Sequence, residues 1–253
     1  MLPSQPADLK GSLENSYVEG YLKEFRRPFS LIDGAVAWGA PEGVPKWWTE
    51  RRLRHVDQVS RLVRLHQFRT FCDFSGGCGL HTFESAKHFD LVLHCDLSVE
   101  SLSYACRKAE ALGLRNVVFI RIDYFKPPFS TSLDVVICMD SLIRSEQHER
   151  MVLKAILRSL AAGGLAVVDF HNRWHNPLRR IGLLPENFRD NRSYTRAEAE
   201  RLLREAGVER YDYHPFVQEV GARGMLSAIG RKIIPPTRLM YRIYPSASNR
   251  PRT

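Results

Sequence analysis

Long apolar runs are missing from this chain: no part of its 253 residues approaches the roughly 18 consecutive apolar positions that a membrane-spanning helix requires. The start, Met1-Leu2-Pro3-Ser4-Gln5-Pro6, also lacks the basic head and apolar centre of a secretory signal, so the expected location is cytoplasmic. Cysteine is sparse and odd in number: Cys72, Cys78, Cys95, Cys106 and Cys138. They include no C-x-x-C pair and no compact Cys/His cluster, which argues against a disulfide framework and a structural zinc site. They read as small buried hydrophobes in a reducing compartment, and no metal is expected. Acidic residues run out after Glu219, leaving Arg223, Arg231, Lys232, Arg238, Arg242, Arg250 and Arg252 to supply much of the formal charge of +9. Such an end could meet phosphate, touch an anionic membrane surface as a peripheral contact, or simply be solvated. The length suits one sizeable core and is short for two ordinary domains.

What the chain does have is Phe71-Cys72-Asp73-Phe74-Ser75-Gly76-Gly77-Cys78-Gly79, an apolar run entering a knot of glycines. Three glycines within four residues cost backbone entropy, which a fold tolerates where the main chain must turn sharply or approach another group closely. The pattern reads as a buried strand turning beneath a nucleotide-like ligand. Two pyrophosphate sites fit it poorly. A dinucleotide fingerprint wants a third glycine where Thr82 stands, and a phosphate loop wants Gly-Lys-Ser/Thr where Gly79 runs into Leu80 and His81.

In chain order, residues 1–12 read as a loose lead-in and Glu14 to Phe25 as a helix with Tyr17, Tyr21, Leu22 and Phe25 at helical spacing. After Pro28 comes a segment with Ala37, Trp38, Pro41, Pro45, Trp47 and Trp48, either a cap over the core or a packed extension. Thr49 to His66 is amphipathic, with Leu53, Val56, Val59, Leu62 and Val63 as its apolar stripe and Arg51, Arg52, Arg61 and Arg64 on its wet side. Short apolar strands follow at Arg69–Phe74, Leu91–Cys95, Val117–Ile122, Leu133–Cys138 and Leu165–Phe170, separated by helical stretches. Ser98 is an N-cap, Gly113 a stop, and Thr195 with Glu198 forms a capping box for a helix ended by Gly207. Tyr211 to Phe216 is expected as strand six, Met225 to Ile229 as its antiparallel neighbour, and Leu239, Met240, Tyr241, Ile243 and Tyr244 as a short terminal helix. Strands alternating with helices imply an α/β fold, a mostly parallel sheet with helices on both faces. The expected division is an N-terminal helical cap over 1–66, a catalytic domain over 67–230 and a basic tail over 231–253.

Ligands of such sheets bind beyond the carboxyl ends of the strands, and Asp73, Asp96, Asp123, Asp140 and Asp169 all fall there. Taken in order, these motifs resemble the class I S-adenosylmethionine-dependent methyltransferases over roughly Phe71 to Gly207. Asp73, Ser75, Gly77 and Gly79 lie on that family's D-x-G-x-G-x-G turn, with serine in place of the first glycine. The resemblance implies that Asp96 accepts hydrogen bonds from the cofactor's ribose hydroxyls with Leu97 beside it, that Asp123 bonds the adenine amino group, and that Tyr124 lines the ring. Asp134-Val135-Val136 resembles the strand-four motif, with Asp140 just beyond it, and Leu160-Ala161-Ala162-Gly163-Gly164 resembles the leucine-x-proline-glycine-glycine turn. It implies a Rossmann-like seven-stranded sheet, S-adenosyl-L-methionine as cofactor and methyltransferase activity.

Methyl transfer needs the acceptor aligned behind the methyl, and a base only where the nucleophile must lose a proton. His171 or His175, just past strand five, is the candidate base or orienting group. Tyr17, Tyr21, Trp38, Trp174 and Tyr194 are candidate substrate-pocket residues, though aromatic packing would explain them equally. The Asp140-Ser141-Leu142-Ile143 stretch lacks the Pro-Pro-Tyr signature of enzymes that methylate base nitrogens, and no proline-cysteine nucleophile motif is present. The family resemblance is therefore to the small-molecule branch, acting on an oxygen or nitrogen. Methylation of RNA and non-catalytic cofactor binding by a partner or scaffold subunit stand as alternatives.

Overall fold

A computed structural model describes residues 46–63, 68–123, 127–175, 177–183, 191–216 and 235–245. The first described element, α1 (Lys46–Val63), buries Val56, Val59 and Val63 on one side, but Leu53 from the expected stripe faces solvent. The chain then alternates: β1 (Thr70–Asp73), α2 (Leu80–Ser85), β2 (Leu91–Asp96), α3 (Val99–Ala111), β3 (Val117–Arg121), β4 (Leu133–Leu142), α4 (Glu146–Ser159) and β5 (Leu160–His171). A single turn of 3-10 helix (Arg173–His175) and the short α5 (Pro177–Arg180) precede α6 (Arg196–Glu205), β6 (Arg210–Tyr213) and β7 (Arg238–Tyr244).

The sheet has seven strands in the order β3, β2, β1, β4, β5, β7, β6. The first five strands are parallel to their neighbours, while β7 runs antiparallel to both β5 and β6. Alternation along the central strands feeds two cores. Val136, Cys138, Ala166, Val168 and Phe170 join Val152, Ile156 and Leu202 on one face. Val135, Ile137, Leu165 and Val167 meet Val59 and Val63 of α1 on the other. Each such aliphatic side chain contributes about 2 kcal/mol by leaving water, so the rows of β4 and β5 hold the sheet rigid where the candidate site begins.

Local signals place the strand ends. Asp134 accepts from the backbone N–H of Arg69 (3.0 Å) and Thr70 (2.9 Å) and from Thr70 Oγ1 (2.9 Å), tying the start of β1 to β4. Ser98 accepts from Ser101 N, and Thr195 with Glu198 makes both bonds of the capping box. Gly113 and Gly207 end their helices with φ of 69° and 92°.

The segment expected as a terminal helix is instead strand β7. Six of its partners lie on β5, from Ala166↔Ile243 to His171↔Arg238. Arg238, Leu239, Met240 and Tyr241 are all buried, a two-sided burial that an inner strand gives and a surface helix does not. A short apolar run carries no periodicity able to separate the two, which is why the sequence misled here. Two cations counted in the basic tail are thereby spent inside the sheet: Arg238 pairs with Asp140, and Arg242 Nη2 sits 2.8 Å from Asp212 Oδ2. The expected strand at Met225–Ile229 lies outside the described residues, as do residues 1–45. β5 begins at Leu160, so the expected Leu160–Gly164 turn is taken into the strand, with a shift in register against β4.

Candidate active site

β1 delivers Asp73 to the carboxyl end of the sheet, 1% exposed. Its Oδ2 accepts from Thr82 Oγ1 at 2.9 Å, and the same hydroxyl is 2.7 Å from Nδ1 of the buried His94 on β2. Burial, the largest influence, pushes the Asp73 carboxyl up to about 7; the Thr82 bond opposes it and nearby Asp96 adds to it. Burial also brings His94 down to about 4, partly offset by the Gly77 backbone. Above this network runs the glycine turn. A Cβ on Gly76 would stand 2.3 Å from His94 Cε1, so only hydrogen fits. Gly77 and Gly79 have φ of 52° and 89°, the left-handed region that glycine occupies without strain. Ser75 replaces the usual first glycine without harm to the turn, since its hydroxyl donates to Met139 O at 3.2 Å and fastens the turn to β4.

At the end of β2, Asp96 accepts from Gly77 N at 2.7 Å and Ser98 N at 2.9 Å. Each of these bonds uses one lone pair, and a carboxylate offers about four acceptor sites in all. Leu97 beside it is 8% exposed, and its carbonyl accepts from Arg121 Nε at 3.1 Å. Asp123, half-buried, follows β3, while Tyr124 lies outside the described residues. The structure thus brings Asp73, Asp96 and Asp123 to the ends of three neighbouring strands around a turn that a Cβ at Gly76 would obstruct. The donor set fits an adenosine group carrying hydroxyls and an exocyclic amine: acceptor-only carboxylates stand beside glycine backbone that a ligand can approach closely. Among the described residues no group of His, Cys, Asp and Glu could hold a metal ion.

A second cluster joins β4, β5 and β7. Asp140 adopts φ 58° at an irregularity in the pairing of β4 with β5. An aspartate there costs about 1 kcal/mol. Its conformation is held by the bond from Asp140 N to Asp169 Oδ1 (2.7 Å) and by the ion pair with Arg238. His171 Nε2 stands 3.5 Å from Asp140 Oδ1. Burial lowers His171 to about 4, with Arg238 and His175 pushing the same way and Asp140 opposing. From α1, His55 Nε2 reaches within 3.8 Å of Asp169 Oδ2, its ring edge-on to His81 (5.4 Å) and Phe216 (5.0 Å).

The remaining candidates stand in different surroundings. His175 is half-buried, its Nδ1 2.8 Å from the carbonyl of Asn172. Trp174 is half-buried in the same turn, with its N–H bonded to Asn172 Oδ1 at 3.1 Å. Tyr194 is corrected: it is fully buried, edge-on to Phe170 at 5.3 Å, and donates to Glu149 Oε1 at 2.8 Å, so it is a core residue and lines no pocket. Tyr17, Tyr21 and Trp38 lie outside the described residues. Reasoning from sequence missed His55, His94 and Arg238. Histidine in place of an apolar residue within Leu91–Cys95 was the available sign for His94; Arg238 and His55 reach the site only through the fold.

Residues 71–164 match the family model described as a methyltransferase domain. No protein with a curated record has a significantly similar sequence. Solved structures share the fold at low identity. Magnesium protoporphyrin IX methyltransferase from Synechocystis PCC 6803, with bound SAH, is 16% identical with a TM-score of 0.63, covering 90% of this chain and 100% of that one. The cyclase SpnF is 15% identical with a TM-score of 0.63, covering 90% and 95%. Geranyl diphosphate methyltransferase, in complex with GPP and sinefungin, is 14% identical with a TM-score of 0.59, covering 90% and 98%. The motif order of the first five strands, the sheet topology and the matched domain agree: the chain has the fold of these methyltransferases and carries a segment, residues 71–164, that matches a methyltransferase domain.

Proposed function

We propose that the chain transfers a methyl group from S-adenosyl-L-methionine to an oxygen or nitrogen of a small metabolite by direct in-line displacement. The observation that carries this reading is the convergence of Asp73, Asp96 and Asp123 around the glycine turn, with His171 on the same rim. When bound, S-adenosylmethionine supplies an electrophilic methyl on a positively charged sulfur. Asp96 would hold the ribose hydroxyls and Asp123 the adenine amino group, each as a charge-assisted acceptor. Leu97 and Tyr124 would line the ring, Asp140 would bound the crevice on its β4 side, and Trp174 is the described aromatic available to an acceptor.

His171 is the favoured proton acceptor. Held near 4, it is neutral around neutrality and keeps a lone pair available. So weak a base does not ionise an alcohol beforehand, but it can orient a hydroxyl and take its proton once the new bond makes that proton strongly acidic. With Asp140 beside Nε2, the proton would be received at Nδ1. His175 remains the second candidate.

The small-metabolite reading gains from the pairing of Arg238 and Arg242 within the sheet, which removes two cations from any nucleic-acid surface. The fold alone does not fix the reaction, since a cyclase shares it. Incubation with methyl-labelled cofactor and fractionated cell extract is the test. Label in the small-molecule fraction is the expected result, whereas label confined to RNA, or sinefungin binding with no label anywhere, would defeat the reading. In single-turnover assays at saturating cofactor, His171→Ala should slow transfer at least tenfold, a loss of about 1.4 kcal/mol of transition-state stabilisation. An unchanged rate in both His171→Ala and His175→Ala would remove histidine from the mechanism.

A further inference from the structure

Beneath the glycine turn Asp73 heads a chain of three polar groups, of which Thr82 and His94 have no part in the mechanism above. Thr82 and His94 are fully buried and Asp73 nearly so, and the Thr82 hydroxyl contacts both of the others, at 2.9 Å and 2.7 Å. A hydroxyl has one hydrogen. When Asp73 is ionised it can only accept, so that hydrogen goes to Asp73. The oxygen of Thr82 is then the acceptor left for His94, which must carry its proton on Nδ1. The tautomer and orientation of a buried ring are thus fixed by a carboxylate it does not touch. That ring is also what Gly76 rests against, its Cε1 and Nδ1 being 2.3 Å and 2.4 Å from where a Cβ would stand.

We propose that Thr82 and His94 are positioning residues for the cofactor turn: Asp73 fixes the Thr82 hydroxyl, Thr82 fixes the His94 ring, and the ring sets the height of Gly76, so that protonating Asp73 loosens the turn and weakens cofactor binding. The inference rests on the reading that this turn holds S-adenosylmethionine. The groups facing Asp73 are Thr82 from α2, Asp96 from β2, Cys138 from β4 and Cys72 on its own strand. None is a cation. Ionisation of Asp73 is therefore poised near neutrality, at about 7, and a cationic ligand favours the ionised form.

The test uses sinefungin, a stable cationic analogue, titrated calorimetrically into the full-length protein at pH 6, 7 and 8. A single proton released near pH 7 makes wild-type binding about tenfold weaker at pH 6 than at pH 8. Thr82→Val removes the bond that holds Asp73 down, so its midpoint moves to higher pH, while Thr82→Ser restores the wild-type profile. Comparing variants at each pH cancels the ligand's own ionisation. A purely structural role predicts the same loss at every pH, and that result, or no loss at all, overturns the inference. Should Thr82→Val fail to fold, the nitrogen-15 spectrum of His94 in the wild-type protein at pH 8 decides: the Nδ1–H tautomer supports the chain described and the Nε2–H tautomer refutes it. Absence of sinefungin binding at every pH would defeat the cofactor reading itself and this inference with it, whereas binding with an unmoved midpoint or the wrong tautomer defeats only the inference.

Discussion

Replacing Gly76 with alanine tests whether His94 dictates the turn. The backbone is no obstacle, because φ at Gly76 lies outside the left-handed region. The obstacle is the ring: a new Cβ would lie 2.3 Å from His94 Cε1. Carbon atoms pack at about 3.5 Å, so one of the two must move by roughly 1.2 Å. His94 has little room to yield, with no exposed surface, Thr82 Oγ1 at 2.7 Å and the Phe119 ring centroid at 5.1 Å. Overpacking of this kind costs about 1 to 3 kcal/mol, and loss of the ring's bond to Thr82 adds about 1 kcal/mol. His94→Ala alone removes a buried ring and one partner of the Thr82 hydroxyl, costing about 2 to 4 kcal/mol. In the double variant the vacated space accepts the new methyl, so the combined cost falls short of the sum by about 2 kcal/mol. The coupling is read from urea unfolding of all four proteins. Costs that add to within about 0.5 kcal/mol would refute the claim that the ring supports the turn. Gly77→Ala is the control: nothing lies within 4 Å of its Cβ position, so its cost is the left-handed φ, about 1 kcal/mol, and His94→Ala should not relieve it.

Tyr194→Phe removes the hydroxyl that donates to Glu149 Oε1, an oxygen that also accepts from Arg144 N at 2.8 Å. Stability by denaturant unfolding should fall by about 1 to 3 kcal/mol while sinefungin affinity stays within twofold; a large loss of affinity instead would return Tyr194 to the pocket. Asp96→Asn turns an amide N–H toward Gly77 N or Ser98 N and forfeits a charged acceptor, so calorimetry should find sinefungin bound at least tenfold more weakly, about 1.5 to 3 kcal/mol. His171 is depressed in the folded state from 6.5 to about 4, so between those values the unfolded chain binds the extra proton and this residue makes stability rise with pH. Its contribution is complete above the unfolded value and is lost as pH falls toward 4. His171→Gln should remove about 1.4 kcal/mol per pH unit of slope from that window, and a wild-type slope in the variant would show that the imidazole is not buried neutral.

The order and polarity of the first five strands were legible because each is a short apolar run with a helix between it and the next, and because Ser98, Gly113, Thr195 and Gly207 mark helix ends by residue type. The acids of the rim were legible for the same reason: the end of a strand can be found in one dimension, and in a parallel sheet those ends share an edge. Partnership across the sheet was not. Arg238 stands opposite His171 only because β7 enters between β5 and β6, an arrangement no local pattern records. For Tyr194 the sequence left pocket and packing equally open; Asn172 bridges to it in parallel register and it packs in the core against Phe170.

Charge placement separates what composition alone would merge. A formal +9 suggests a surface for anions, yet Asp73, Asp96, Asp123, Asp140 and Asp169 line the carboxyl edge with Arg238 as a cation paired among them. That edge is locally acidic inside a basic protein, the sign suited to a donor whose sulfur is positive before transfer and neutral after it. Arg238 limits the acidity at the β5 end, where it pairs with Asp140, and burial, with Arg238 acting in the same direction, keeps His171 uncharged near neutrality. The result is a contrast along one edge, between the acids Asp73, Asp96 and Asp123 over β1 to β3 and a cluster over β4, β5 and β7 in which Arg238 pairs with Asp140 beside His171. On the proposed reading a cationic cofactor would be drawn to the first part and a neutral acceptor tolerated in the second, so the order of the strands would set the two substrates at their ends of the crevice.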